Sequence, residues 1–117
     1  MRRSEVWWTD LQPRSGSEQS GRRLVVVLSH DSFNQAANWN SVIVVPCSTS
    51  AKQAKRARTT VSLPKGTGGL PSDSVAVAHQ ITTLDRGKIL QQIGSLRETE
   101  LRAIEVAVMN AVGLNGD

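Results

Sequence analysis

The side chains of this 117-residue chain that can do chemistry are arginines and hydroxyls, and they fall where loops become scaffold. Arg22 and Arg23 follow the polar stretch Gly16-Ser-Glu-Gln-Ser-Gly21 and lead directly into the apolar run Leu24 to Leu28. That run has the length and β-branched content of a buried strand. A guanidinium fixed at such a junction suits phosphate, because Arg presents several N–H donors in a planar fork. Alternation along a strand puts the two arginines on opposite faces. A second group, Ser48, Thr49 and Ser50, follows the apolar segment Ser41 to Cys47. The densest basic cluster comes next, with Lys52, Lys55, Arg56 and Arg58 placed to extend a phosphate-tracking groove. Glu18 is the one acid of the Gln12 to Gly21 loop.

The usual catalytic constellations are missing. His30 and His79 stand far apart, without cysteine or carboxylate at ligand spacing, so a metal site is not expected. No nucleophile-elbow pattern supports a serine–histidine–aspartate triad. Pro64 to Pro71 is glycine-rich but lacks the Gly-Lys-Ser/Thr order of a phosphate loop. Arginine, hydroxyls and one loop carboxylate remain. Such a set can stabilise a phosphate under attack, since developing charge on phosphoryl oxygens calls for fixed donors.

The elements that must position these groups are mostly strands. Glu5 to Leu11 reads as a first strand, with Val6 and Trp8 on one face and Trp7 and Thr9 on the other. Leu24 to Leu28 is the second, and Ser41 to Cys47 the third. Pro46 lacks an amide hydrogen, which points to a sheet edge or bulge. His30 to Asn38 is irregular. Thr59 to Leu63 is a fourth strand, Asp73 to Thr83 a strand pair or one bent strand, and Ile89 to Ile93 a short strand ended by Gly94. Only the last segment has helical periodicity: Leu101, Ile104, Val108 and Val112 share one face. Ser95-Leu-Arg-Glu98 matches a capping box, and Gly113 ends the pattern. The architecture expected is mainly β, an antiparallel β barrel or half-barrel closed by one C-terminal helix, in a single domain over residues 1–117.

Composition narrows the setting. The net charge of +4 and a pI near 10.0 favour a polyanionic partner, though weakly. Cys47 is the one cysteine, so no intrachain disulfide can form and a reducing, cytoplasmic setting is expected. No apolar run approaches the roughly 18 residues of a membrane helix. The N-terminus lacks a signal-peptide apolar region.

Four segments in order, Glu5-Val-Trp-Trp-Thr-Asp-Leu11, Gly16-Ser-Glu-Gln-Ser-Gly-Arg-Arg23, Val42-Ile-Val-Val-Pro46 and His79-Gln-Ile-Thr-Thr-Leu-Asp85, resemble the MazF/PemK family of toxin ribonucleases. The resemblance runs from about Glu5 to Leu114. It implies an SH3-like antiparallel barrel of the MazF/CcdB type with a C-terminal helix, working as a homodimer. It further implies metal-independent cleavage of single-stranded RNA at short specific sequences, giving a 2′,3′-cyclic phosphate and a 5′-hydroxyl. No cofactor is implied, and the partners are RNA and a neutralising antitoxin. By this resemblance Arg23 is the catalytic arginine, Ser48 or Thr49 the catalytic hydroxyl and Glu18 the loop acid. Gln19, Arg22, Lys52, Lys55, Arg56, Arg58 and Gln80 hold RNA, and Trp7 anchors an acidic antitoxin. Two positions depart from the family pattern. Ser48 stands in place of threonine, and Leu24 in place of the proline after the arginine. Three other readings stay open at this stage: a gyrase poison of the CcdB type, a nucleic-acid-binding barrel that does not cut, and a metal-dependent nuclease.

Overall fold

The computed structural model describes residues 1–11 and 21–115. Among them are strands β1 (Glu5–Leu11), β2 (Gly21–Val27), β3 (Ser41–Ser48), β4 (Thr60–Leu63), β5 (Ser74–Val77), β6 (Thr82–Asp85) and β7 (Ile89–Ser95). Two one-turn helices, α1 (Asp31–Asn34) and α2 (Ala51–Ala54), sit in connections, and α3 (Glu98–Ala111) follows β7. The strands pair antiparallel in the order β4-β5-β3-β2-β1-β7, with β6 also on β3. This is the mainly β, barrel-like fold with a C-terminal helix that the strand patterns predict.

Strand β3 is the spine. On one side it pairs with β2 through Val25↔Pro46, Val26↔Val45 and Val27↔Val44. On the other it pairs first with β6, at Ser41 to Val44, and then with β5, at Cys47 and Ser48. Of the sheet edge or bulge expected for Pro46, the structure rules out the edge: Pro46 lies inside the sheet, facing an irregular break in the ladder. Ile43 accepts from Leu28 N–H on the β2 side at 2.9 Å, so alternation turns the Pro46 nitrogen to the opposite side. There β6 has ended and β5 has not begun. The missing donor falls in a gap of the ladder, and a 3-10 turn over Ala78–Gln80 occupies the chain opposite. Of the strand pair or one bent strand expected over Asp73 to Thr83, the structure shows two strands, β5 and β6, separated by this turn.

Both faces of the central strands are covered. Val6, Leu24, Val26, Val45, Cys47, Leu63, Leu70, Ala76, Leu96 and Ile104 form the main core, with Trp8 packed against it. Val25, Val42, Val44 and Leu84 form a second cluster with Trp7. The predicted alternation of β1 is met, with Val6 and Trp8 on the first face and Trp7 on the second. Fully burying one such aliphatic side chain is worth about 1.5–3 kcal/mol, so the two clusters hold β1 to β3 firmly.

The hydrogen-bonded ladder leaves β4 and β7 as its two ends, and the connector after β4 comes into backbone contact with β7. The β4–β5 connector turns over Thr67–Gly69 against β7. A Cβ on Gly69 would stand 2.2 Å from the Ile93 carbonyl oxygen, and one on Gly94 would stand 2.4 Å from that of Gly68. Gly94 thus lies within β7 and is needed for this approach; it does not end the strand.

Helix α3 closes the main core with Ile104 and Ala107. It begins two residues later than expected. Glu100 accepts from the Arg97 backbone N–H at 2.8 Å, which ties off the first turn. At the other end Gly113 adopts φ +80°, Leu114 N–H reaches Met109 O at 2.8 Å, and Gly113 N–H reaches Asn110 O at 3.3 Å. That pairing is a Schellman motif. Val112 falls at the cap and is 57% exposed, so the apolar stripe stops at Val108. Arg3 anchors the helix from outside, pairing with Glu105 and donating to Leu28 O at 3.2 Å.

Substituting Gly69 or Gly94 by alanine should cost more than about 3 kcal/mol, the upper range for overpacking, because the obstacle is backbone. Gly87→Ala, where the new Cβ meets open space, should be close to neutral. Urea unfolding midpoints of the three variants check this.

Candidate active site

The chemistry-bearing residues meet where β2 and β3 part company. Strand β2 starts at Gly21, three residues before its apolar run, because β1 pairs with it over Thr9↔Arg23, Asp10↔Arg22 and Leu11↔Gly21. Both arginines are therefore held in strand conformation. Thr9 is fully buried and its hydroxyl donates to Arg23 O at 2.9 Å, which pins the backbone beneath that guanidinium. On the other flank the β2–β3 pairing ends at Val25↔Pro46, while on its far side β3 goes on to pair with β5. Continuing the β2–β3 register two residues past Val25↔Pro46 sets Arg23 across from Ser48, and one more step sets Arg22 across from Thr49. With no ladder bonds there, a cleft of about 440 Å³ opens between the strands.

Arg22, Arg23, Ser48, Thr49, Gln53 and Gln80 line that cleft, over a floor that includes Trp8, Leu24 and Cys47. The two arginines, expected on opposite faces, both border it because the opening lies at the strand's free flank. The ladder itself stops at Val25↔Pro46, so Arg23 with Ser48 and Arg22 with Thr49 are matched by extension of the register and not by strand pairing. Arg23 remains exposed, with one long contact of 3.5 Å to Arg22 O.

Ser48 is better ordered than its lack of a methyl suggests. Its Oγ accepts from the Ser50 backbone N–H at 3.0 Å, which leaves the hydroxyl hydrogen to donate into the cleft. Ser48 is half-buried and Thr49 exposed. Ser50 caps α2, accepting from Lys52 N–H at 3.3 Å. Burial pushes the Cys47 thiol up to about 12, so it lines the floor as an inert group and not as a nucleophile.

The basic cluster stands beside the cleft and not in its wall. Lys52, Lys55, Arg56 and Arg58 are exposed on α2 and the turn after it. Arg58 offers its carbonyl to Asn110 of α3 at 2.9 Å. Arg56 approaches His79 Nε2 at 3.5 Å, while His79 Nδ1 lies 2.8 Å from Thr59 Oγ1. With Arg56 donating, Nε2 accepts, so Nδ1 carries the proton and donates to Thr59. Burial and the Arg56 charge both hold the His79 pKa below its usual value. This histidine joins the α2 turn to the turn that carries Gln80.

Other expectations fare differently. Glu18 and Gln19 lie outside the described residues. Trp7 is half-buried against the second cluster with its indole N–H given to Glu5 at 3.0 Å, so it does not present the exposed ring expected of an anchor. The exposed aromatics are Phe33 and Trp39, stacked at 4.8 Å on the β2–β3 connection. Trp8 and Gln53 are cleft residues that sequence reading missed. Trp8 shares the alternation of the core, and an isolated glutamine in a charged stretch carries no pattern. Among the described residues no three His, Cys, Asp or Glu side chains gather into a set able to hold a metal ion. No helix among them is long and apolar enough to cross a membrane.

Comparison with known proteins places this geometry. Residues 2–112 match the model of the PemK-like, MazF-like toxin of type II toxin–antitoxin systems. The endoribonuclease MazF of Staphylococcus saprophyticus is 30% identical over 115 residues, covering 98% of this chain and 93% of that protein. Among solved structures, MazF of Deinococcus radiodurans superposes with a TM-score of 0.78 at 24% identity, covering 97% of this chain and 96% of that one. A mycobacterial endoribonuclease in complex with its cognate antitoxin gives the same TM-score and coverage at 20% identity.

The histidine bridge has a measurable consequence. A folded-state pKa below the unfolded value means that the unfolded chain takes up the proton first as pH falls. The stabilisation is complete above about 6.5, the unfolded value, and is lost as pH drops from there through the lowered folded value. Wild-type urea midpoints should fall between pH 7.5 and pH 5, and His79→Gln should flatten that fall. An unchanged slope in the variant would refute the assignment.

Proposed function

The chain belongs to the PemK-like, MazF-like toxin family of type II toxin–antitoxin systems, and from that premise we propose how it acts as an endoribonuclease on single-stranded RNA. The observation that carries the reading is the cleft where Arg23 and Ser48 arrive from facing strands, lined by donors and open to solvent. The RNA supplies its own nucleophile. The 2′-hydroxyl attacks the adjacent 3′-phosphorus, the bond to the 5′-oxygen breaks, and the products are a 2′,3′-cyclic phosphate and a 5′-hydroxyl. Negative charge builds on the non-bridging oxygens during that step. Arg23 donates charge-assisted hydrogen bonds to them, and preorganised donors of this kind supply much of a catalytic effect. An arginine pKa above about 12 makes proton abstraction by Arg23 unfavourable, so its role is electrostatic. The Ser48 hydroxyl, oriented through Ser50, donates to the phosphate or to the departing 5′-oxygen. Glu18 is our candidate to accept the 2′-hydroxyl proton.

Arg22, Gln80 and Gln19 hold the neighbouring nucleotides, and Lys52, Lys55, Arg56 and Arg58 track the strand beyond the cleft. No step calls on a metal, so cleavage should persist in EDTA. The reading also takes the enzyme as a cytoplasmic homodimer. Its regulator is an antitoxin, as in the mycobacterial endoribonuclease complex, and the +4 charge of this chain favours an acidic inhibitory segment.

Mapping the ends of a long mixed-sequence RNA after incubation in EDTA tests the chemistry. Arg23→Ala should lower kcat by about 10²–10³, or 2.7–4 kcal/mol, with little change in RNA affinity. Arg22→Ala should act mainly on affinity. Ser48→Ala should abolish cutting while Thr49→Ala spares it. The reverse pattern would move the site to the Arg22–Thr49 pair.

The antitoxin should associate more slowly as salt rises, because long-range attraction is screened, while its dissociation rate stays nearly constant. Stopped-flow association at two ionic strengths reads both rates. An association rate indifferent to salt would argue against an acidic partner.

A further inference from the structure

Gln53, the third residue of α2, carries an anomaly that the mechanism leaves unused. Its Oε1 is buried and, among the described residues, is the one buried side-chain polar atom with no hydrogen-bond partner. Its side chain belongs to the wall of the cleft flanked by Arg23 and Ser48. An amide oxygen shut away from water without a partner is unfavourable, and folded proteins rarely keep one. Its backbone is firmly placed. Gln53 N–H donates to Ser50 O at 3.2 Å, and Arg56 N–H donates to Gln53 O at 3.0 Å. Arg56 in turn meets His79, next to Gln80 on the facing wall. The terminal amide torsion of a glutamine is broad, so a rotation can bring Oε1 round toward the cleft.

The missing partner must be a donor. A phosphate oxygen only accepts and is met instead by the arginines. The 2′-hydroxyl at the cut bond is spent as nucleophile. The remaining donors on a bound single strand are the flanking 2′-hydroxyls and the base N–H groups; only the base groups differ from one nucleotide to another, and unstacked bases turn them outward. Adenine and cytosine carry an exocyclic amine at C6 or C4; guanine carries its amine at C2, at the other end of its pairing edge, and uracil offers only a ring N–H. Uracil and guanine carry a carbonyl at the equivalent position, which would set acceptor against acceptor.

We propose that Gln53 is a specificity-determining residue that accepts a hydrogen bond from the exocyclic amine of an adenine or cytosine beside the cleaved phosphate. This rests on the endoribonuclease reading above. The test is cleavage of a random-sequence single-stranded RNA library, with sequencing of the cut sites. Wild type should restrict one position near the cut to adenine or cytosine. Gln53→Leu should admit all four bases there and lose about tenfold to a hundredfold in kcat/KM on the best site, the scale of one good base contact. Gln53→Glu, which keeps an acceptor, should retain the amine-bearing preference. Since leucine removes an unpaired buried oxygen, the melting temperature of Gln53→Leu should be equal to or above wild type. An unchanged site preference in Gln53→Leu would overturn the inference, as would a preference for uracil or guanine at every restricted position. A lowered melting temperature would do so too, by showing the amide to be tied into the fold. A wild-type protein that leaves the library uncut would bring down the endoribonuclease reading, and this inference with it.

Discussion

Pro46 has no amide hydrogen, and much of the site follows from where that absence falls. A proline inside a sheet removes a ladder bond and is normally confined to edges. Here it occupies a central strand, facing the gap where β6 ends and β5 begins. No bond is lost because none is required. The chain opposite is free to turn out of strand geometry, and that turn carries His79 and Gln80. On its other flank β3 parts from β2 immediately after Pro46, which leaves Arg23 and Ser48 facing across open space. One residue without a donor thus marks the break on both sides of the spine.

Such a break is affordable only if the remainder of the barrel is held tightly. The double-sided burial of β2 and β3 supplies part of this, with Val25, Val26, Val44 and Val45 all fully enclosed. The contact of Gly68 and Gly69 with β7 supplies the rest, since backbone against backbone leaves no slack for the sheet to uncurl. Helix α3 then seals the main core through Ile104 and reaches the site's periphery through Asn110 on Arg58. Rigidity around a cleft is what electrostatic catalysis needs, because donors that must first reorganise lose most of their advantage.

The charges are arranged by division of labour. Arg22 and Arg23 stand on a strand and are positioned by pairing with β1. The four basic residues after Ser50 stand on a one-turn helix and a turn, exposed and with long side chains. Fixed charge suits a transition state, and mobile charge suits a flexible polyanion that is held without reading its sequence. Arg56 is the exception, restrained by His79, and it ties the turn after α2 to the turn that carries Gln80.

The sequence by itself determined what depends on local pattern. Alternation in Glu5 to Leu11 predicted both faces of β1, and the periodicity from Leu101 to Val108 predicted α3. Arg23, Ser48 and Gln80, singled out through the family-like segments, line one cleft, although the turn that carries Gln80 reads as strand in the sequence. The strand limits were less legible. Gly21 to Arg23 joined β2 because β1 paired with them, and a polar tripeptide carries no sign of its partner. Pro46 announced a break in pairing but not its place, since an edge and an interior bulge look alike in one dimension. Trp7 could not be told from Trp8 as the exposed ring, because β1 is covered on both sides by segments distant in the chain. The approach of Gly94 to Gly68, the His79–Arg56 bridge and the unpaired oxygen of Gln53 were decided by tertiary structure alone. Each is a matter of which atoms meet, or fail to meet, across strands that the order of residues does not bring together.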